Sequence, residues 1–403
     1  MSDRGGRTPG GLRGLLIGVL VMLVLLLGGL TYFIVSILEP TGAPTEAQLP
    51  DGIEWIRSIY NYGPGSGEQL ISPDHTFIAA DGTIWVSDTQ LNLICSFAPD
   101  GSPRERIEFS ALSPEEPWTM PKGIAVSADG EIYVCGSNAN RLFVVNATGE
   151  LLRSWEVEQP LDCWIAGDRV YVTGAIGVSV FTTQGEFIGM WGGRGKGPAQ
   201  LDLPQGVVVG EDGTVYISDT LNARVKAFTS EGEFIGMTAS GITGGGDQEA
   251  DSSSSEEEVG TGLQIPTDIC IDGNGRLVLV DPFGFNMVVI DTESADIIGR
   301  YGDFGDADGL FAYPTGISYD SDRDWFAVAD TANKRVQIVR IPGSGSAGIM
   351  PAVRRAFVGP VWIAVPLGLL LSVGLVTVLS RKRRKAGIAG KAVERETIES
   401  SST

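Results

Sequence analysis

Downstream of residue 70 the chain falls into short runs in which apolar and polar positions alternate, most clearly in PQGVVVGEDGTVYISDTLNARVKAFTSEGEFIGM from Pro204. Alternation with a period of two, carried by Val, Ile, Tyr and Phe, predicts strands with one buried face. Comparable units open at Pro73, Pro121, Pro160, Pro266 and Pro314, so successive starts lie 48, 39, 44, 62 and 48 residues apart. A period of that size marks a repeat architecture. Inside a unit, Asp81-Gly82, Asp129-Gly130, Asp212-Gly213 and Asn274-Gly275 separate the first two strands as hairpin turns. A third strand follows (RVKAFT from Arg224, RVQIVR from Arg335), then a turn and a fourth (EFIGMW from Glu186, EFIGMT from Glu233). Six such units predict an all-β chain, a six-bladed β-propeller.

The sixth unit ends after its third strand, at the IPGSGS that begins at Ile341. EWIRSIY, residues 54–60, precedes YGPGSGEQLISP in the way EFIGMWGGRGKGPAQLDLP leads into the next unit. This N-terminal strand is therefore expected to complete the last blade and close the ring over residues 54–341, removing an open sheet edge. Between the fourth and fifth units, residues 241–262 carry six carboxylates and no apolar pattern, which predicts a disordered acidic insertion. Cation capture or partner docking is the functional alternative for that loop.

Two apolar runs flank the repeats. Residues 14–38 exceed the roughly 20 positions needed to cross a bilayer as a helix, and residues 358–380 form a second run followed by RKRRK at 381–385. Arg4, Arg7 and Arg13 precede the first run, so the positive-inside rule keeps both tails, 1–13 and 381–403, in the cytoplasm. The propeller, joined by linkers 39–53 and 342–357, is expected on the extracytoplasmic side of the cell membrane. Residues 40–358 hold 19 basic against 45 acidic side chains, a net of −26. Nucleic acid, which binds through Lys and Arg, is excluded as a partner. Cys95, Cys135, Cys163 and Cys270 all fall in strand-like apolar runs with no zinc spacing, and read as small buried residues, with a disulfide between neighbouring blades as the alternative.

PQGVVVGEDGTVYISDTLNARVKAF, PTGISYDSDRDWFAVADTANKRVQIV and the links WGGRGKGPAQLDLP and YGDFGDADGLFAYP resemble the NHL-repeat family of six-bladed propellers. The resemblance covers about residues 54–341. Units two, three and five depart from the pattern, with CGSNANRL, TGAIGVSV and VDPFGFNM at the equivalent place. The family includes protein and RNA binders, scaffolds and a few enzymes, so the resemblance implies a fold and leaves function to the site.

Asp88, Asp219, Asp281 and Asp330 recur at the end of the second strand, with Arg224 and Arg335 five residues after their Asp. Recurrence in several blades implies a structural task, the Asp accepting backbone N–H bonds in the turn and the Arg pairing with a carboxylate. The second position after each opening Pro is different: it holds, in order, His75, Gly123, Asp162, Gly206, Asp268 and Gly316. Alternate blades thus offer His75, Asp162 and Asp268 to the mouth of the central channel, with Asp74 adjacent. Such a set suits Ca²⁺ or another divalent metal, and it resembles, in position only, the place near which the gluconolactonase and phosphotriesterase-like propellers bind Ca²⁺. The same side chains could instead hydrogen-bond neighbouring strands. Trp118, Lys122 and Gln205 are further rim candidates for ligand contact, and Trp164 reads as packing between blades. A single histidine excludes the multi-histidine zinc site of NHL-like amidating lyases, and no nucleophile elbow or nucleotide-binding glycine loop is present.

These observations point to a membrane-anchored binding or scaffolding module for an envelope or extracellular protein, peptide or glycan. The alternative is a metal-dependent hydrolase or lyase acting at the channel through His75, Asp162 and Asp268. A third reading is a structural element of a larger membrane complex.

Overall fold

The computed structural model describes residues 52–65, 67–110, 112, 118–238 and 262–345, together with Leu20 and Leu23, which are helical. Apart from Leu20, Leu23 and Gly262, the two predicted membrane spans, both tails and the acidic insertion lie outside the described residues. Among those that are described, no helix is long and apolar enough to cross a membrane.

The described domain is built from six antiparallel four-stranded sheets, in five of which the strands follow chain order from the axis outward. Its only helical turns among the described residues are two short 3₁₀ segments, Thr220–Asn222 and Thr331–Asn333. The innermost strands are Pro73–Ile78, Pro121–Val126, Pro160–Ala166, Pro204–Val209, Ile269–Ile271 and Pro314–Asp320. Each hairpin glycine predicted from sequence, Gly82, Gly130, Gly213 and Gly275, adopts a positive φ between 77° and 85°, a conformation open to glycine at little cost. In the sixth sheet, Glu54–Ile59 is the outer strand and pairs with Arg335–Arg340, from Glu54 opposite Arg340 to Ile59 opposite Val336.

The middle strands of the blades are buried on both faces, as in Ile84–Asp88 and Leu93–Phe97, where the alternation predicts one buried face, and each blade packs against its two neighbours. The result is six separate apolar clusters, one at each junction between blades. Val134 and Phe143 of the second blade meet Trp85 and Ile94 of the first. At the seam between last and first blades, Ala327, Val336 and Ile338 meet Ile84, Val86 and Cys95. All four cysteines are free and buried, and burial pushes the thiols of Cys95, Cys135 and Cys270 well up, so they act as small apolar side chains.

The recurrent aspartates fasten these blades to the links between them. Asp88 is fully buried, and its Oδ2 accepts the N–H groups of Ile71 and Ser72 in the incoming link, at 2.7 and 3.0 Å, while Oδ1 accepts that of Leu91 in the turn. Asp281 does the same with Gln264 and Ile265, and Asp330 with Ala312. The turn was the expected partner; the incoming link is an additional one that spacing alone does not reveal. Arg335 completes the sixth copy. It is 1% exposed, pairs with Asp330 at 2.7 Å, and donates to the carbonyls of Ala307 and Leu310 at 2.8 and 2.9 Å. Lys226 and Gln337 occupy equivalent places beneath the fourth and sixth links, donating to the carbonyls of Gly197 and Pro198 and of Leu310. Replacing Arg335 with Ala leaves Asp330 buried and strands two carbonyls, so urea unfolding followed by tryptophan fluorescence is expected to show a loss of about 3–5 kcal/mol. A loss below about 1 kcal/mol would place Arg335 among ordinary surface pairs.

Candidate functional site

Six inner strands converge on one axis, and the second position after each opening Pro decides what fits there. The strands slip register at this point, between Pro73 and His75 in the first blade and between Pro160 and Asp162 in the third. Such bulges re-aim side chains. The freed N–H of His75 turns to Ser87 Oγ at 3.1 Å, and that of Asp162 to Thr173 Oγ1 at 3.0 Å. His75, Asp162 and Asp268 are thereby brought together and buried. Their intervening glycines leave no space for a side chain: a Cβ on Gly123 would lie 2.4 Å from Asp162 Cα, one on Gly206 2.9 Å from Asp268 Cα, and one on Gly316 2.6 Å from His75 Cα.

Each polar side chain reaches across its neighbour. His75 Nδ1 accepts the N–H of Ile124 at 3.2 Å, Asp162 Oδ2 that of Val207 at 2.9 Å, and Asp268 Oδ2 that of Ile317 at 2.7 Å. In every case the donor is the residue after the glycine of the next blade, so the pattern has threefold pseudosymmetry. At its centre His75 Nε2 lies 3.1 Å from Asp162 Oδ1 and 3.2 Å from Asp268 Oδ2. The remaining oxygen interactions are local, Asp162 Oδ1 accepting from Cys163 N–H and Asp268 Oδ1 from Ile269 N–H.

These contacts place the protons. Burial disfavours a charged imidazole, but the Asp268 and Asp162 carboxylates favour it and on balance raise its pKa well above the ordinary histidine value. A second proton, however, would sit on Nδ1 facing the Ile124 N–H. The imidazole therefore carries one proton, on Nε2, shared between two carboxylates. Burial pushes the Asp162 carboxyl up, against the pull of His75. The donor atoms of the three residues lie within 4.8 Å of one another, close enough to surround a cation. A metal-bound histidine uses its other ring nitrogen as a donor; here that nitrogen accepts. The set as arranged does not fit a metal ion.

The three residues form the closed end of a cavity of about 870 Å³ that follows the inner strands toward the turns joining first and second strands. Phe77 and Trp164, two residues beyond His75 and Asp162, line its wall with Tyr216 and Tyr319, and their rings lie 6.1 Å apart. Trp164 also packs between blades, against the third–fourth and fourth–fifth junctions. Glu211 and Asp212 stand exposed at the rim and Asp272 is buried beside it. Burial pushes the Asp272 carboxyl up in spite of its two 2.7 Å contacts with Arg276. The C-terminal end of the described domain leaves beside this mouth: Tyr319 Oη contacts the Ser344 carbonyl at 3.0 Å, and Asn274 donates to the Gly343 carbonyl.

The other sequence candidates lie outside the cavity wall. Lys122 Nζ is 3.2 Å from both oxygens of Asp74, so the two neutralise each other. Gln205 contributes its backbone carbonyl to Thr173 Oγ1 at 2.7 Å. Trp118 is 55% exposed and donates from Nε1 to the Thr89 carbonyl. Phe77 was legible in retrospect, because a period of two from His75 selects it; Tyr216 and Tyr319 carry no such signal.

Removing the central imidazole is expected to be pH-dependent. His75→Ala leaves two buried carboxylates without the N–H between them, a loss of about 3–5 kcal/mol at pH 8. Two carboxylates sharing a site raise the pKa of one, and a folded carboxyl with a raised pKa takes up its proton before the unfolded chain does. Stability of the variant therefore recovers as pH falls, and urea midpoints should show a smaller loss at pH 5; equal losses at both values would contradict the shared proton.

No family model matches the chain. It is 24% identical over 247 residues to NHL repeat-containing protein 3 of Mus musculus, an alignment covering 55% of this chain and 65% of the mouse protein. The match thus spans just under two thirds of that relative. Among solved structures, a Bacteroides thetaiotaomicron protein of unknown function aligns with a TM-score of 0.52 at 15% identity, covering 72% of this chain and 76% of that one. A streptogramin B lyase structure aligns with a TM-score of 0.50 at 14% identity, covering 72% and 98%. At these identities the solved structures bear on fold alone. With its repeats and its six four-stranded sheets, the described domain is a six-bladed β-propeller, similar in sequence to an NHL-repeat protein.

Proposed function

We propose that this chain is a membrane-tethered, extracytoplasmic binding or scaffolding module, whose propeller receives a protein, peptide or glycan ligand in its central cavity. The observation that carries the reading is the chemistry of the closed end. His75 has both ring nitrogens engaged and each oxygen of Asp162 and Asp268 accepts a backbone N–H, so the imidazole is not free to act as a base and the carboxylates are spent first on holding the strands. What is left is a walled volume in the usual range for ligand sites. The tethering rests on the two apolar runs and their basic flanks.

A metal-dependent hydrolase or lyase is the second reading, favoured by the closeness of the three donor atoms and opposed by the acceptor state of Nδ1. Elemental analysis of the purified full chain, with melting curves in the presence and absence of chelator, separates the two. The expected result is well under one metal per chain and unchanged melting. About one metal per chain, lost on Asp162→Asn together with Asp268→Asn, would reverse the order. Binding itself is tested on glycan and peptide arrays with wild-type protein beside Trp164→Ala. Ligands of the cavity should be lost with the indole, and retention of every hit would move recognition to another surface.

A further inference from the structure

The cavity walls carry charge of one sign. Asp162 and Asp268 lie at the closed end, Asp272 on the wall and Glu211 and Asp212 at the rim, and among the described residues no Lys or Arg lines the space. The Arg276 that pairs with Asp272 is outside that lining, and the single imidazole at the floor is neutral on the proton placement above. A concave, low-dielectric surface of one sign focuses its field and concentrates counter-ions. Between floor and rim stand Phe77, Trp164, Tyr216 and Tyr319, with Ile78, Val209 and Ile271. Aromatic rings attract cations across their faces, by about 0.5–2 kcal/mol each according to exposure.

A bare metal ion does not match these features, because the imidazole accepts on Nδ1 and the walls are mostly apolar. An N–H-bearing cation does match. Asp162 Oδ2 and Asp268 Oδ1 each accept one backbone N–H, and a carboxylate oxygen has capacity for two such bonds.

Building on the cavity as the binding site, we propose that it is a receptor for an organic cation, an ammonium or guanidinium group carried on an apolar or aromatic stem, its charge drawn to the Asp162 and Asp268 end and its stem held by Phe77 and Trp164. The same chemistry is offered by a free amine and by a Lys or Arg side chain of a peptide.

Calorimetry on the full chain in detergent tests this with matched pairs: tryptamine against tryptophol, phenethylguanidine against phenethylurea, and acetyl-Trp-Lys-amide against acetyl-Trp-norleucine-amide. In at least one pair the cation should bind tenfold or more tightly than its neutral partner. That preference should shrink at least fivefold in Asp268→Asn, with circular dichroism confirming the fold, and weaken with added salt in Glu211→Gln less than in wild type. Preference for the free amines identifies a small-molecule ligand, and preference for the peptide alone identifies a polypeptide side chain; either supports the proposal. Equal binding within every pair would overturn the charge assignment and leave the cavity as a neutral binding site. Failure of all six probes to bind would overturn both.

Discussion

Crowding at the axis is the constraint on which this propeller rests. Six strands approach so closely that every second one must lack a Cβ at the level of His75, and the three remaining side chains must be short enough, and polar enough, to satisfy the backbone they displace. The alternation His75, Gly123, Asp162, Gly206, Asp268, Gly316 meets both demands at once. Each glycine lets its neighbour's side chain in, and each side chain takes up the N–H that follows a glycine. The sixfold repeat is in this way reduced to a threefold one at its centre, with the single histidine breaking even that symmetry by bridging the two carboxylates.

Further from the axis the same economy appears in another form. Links between blades are irregular backbone, whose polar groups are costly to leave unpaired. The buried aspartates answer their N–H groups, while Arg335, Lys226 and Gln337 answer their carbonyls. Because each blade packs only on its neighbours, these fastenings hold a ring of nearly independent units to one curvature, and it is this curvature that leaves a cavity rather than a packed core at the middle.

The strands, turns and number of blades were legible because they depend on local periodicity and on turn residues with a positive φ. The convergence of His75, Asp162 and Asp268 was legible too, since equivalent positions of a ring meet at its axis. Their task was harder to read. Whether a carboxylate faces a cation or a backbone N–H depends on where the neighbouring strand slips register, and Pro73 to His75 gives no outward sign of that slip. Nor does spacing say on which side of the three residues the channel stays open. Asp74 and Lys122, next to the axis in sequence, spend their charges on each other, whereas Phe77, unremarked beside them, lines the cavity.

The exit of the C-terminal end beside the mouth has a practical consequence. Ser344 and Gly343 are held by Tyr319 and Asn274, which themselves line the cavity, so any fluorophore, affinity handle or fusion partner attached at the C-terminal end of the propeller is delivered to the entrance. The loops around Trp118 and Asn138, where Asn138 donates to the Trp118 carbonyl, begin at the opposite ends of the inner strands. An engineered cysteine there would hold the ring on a sensor surface with its opening turned toward solution.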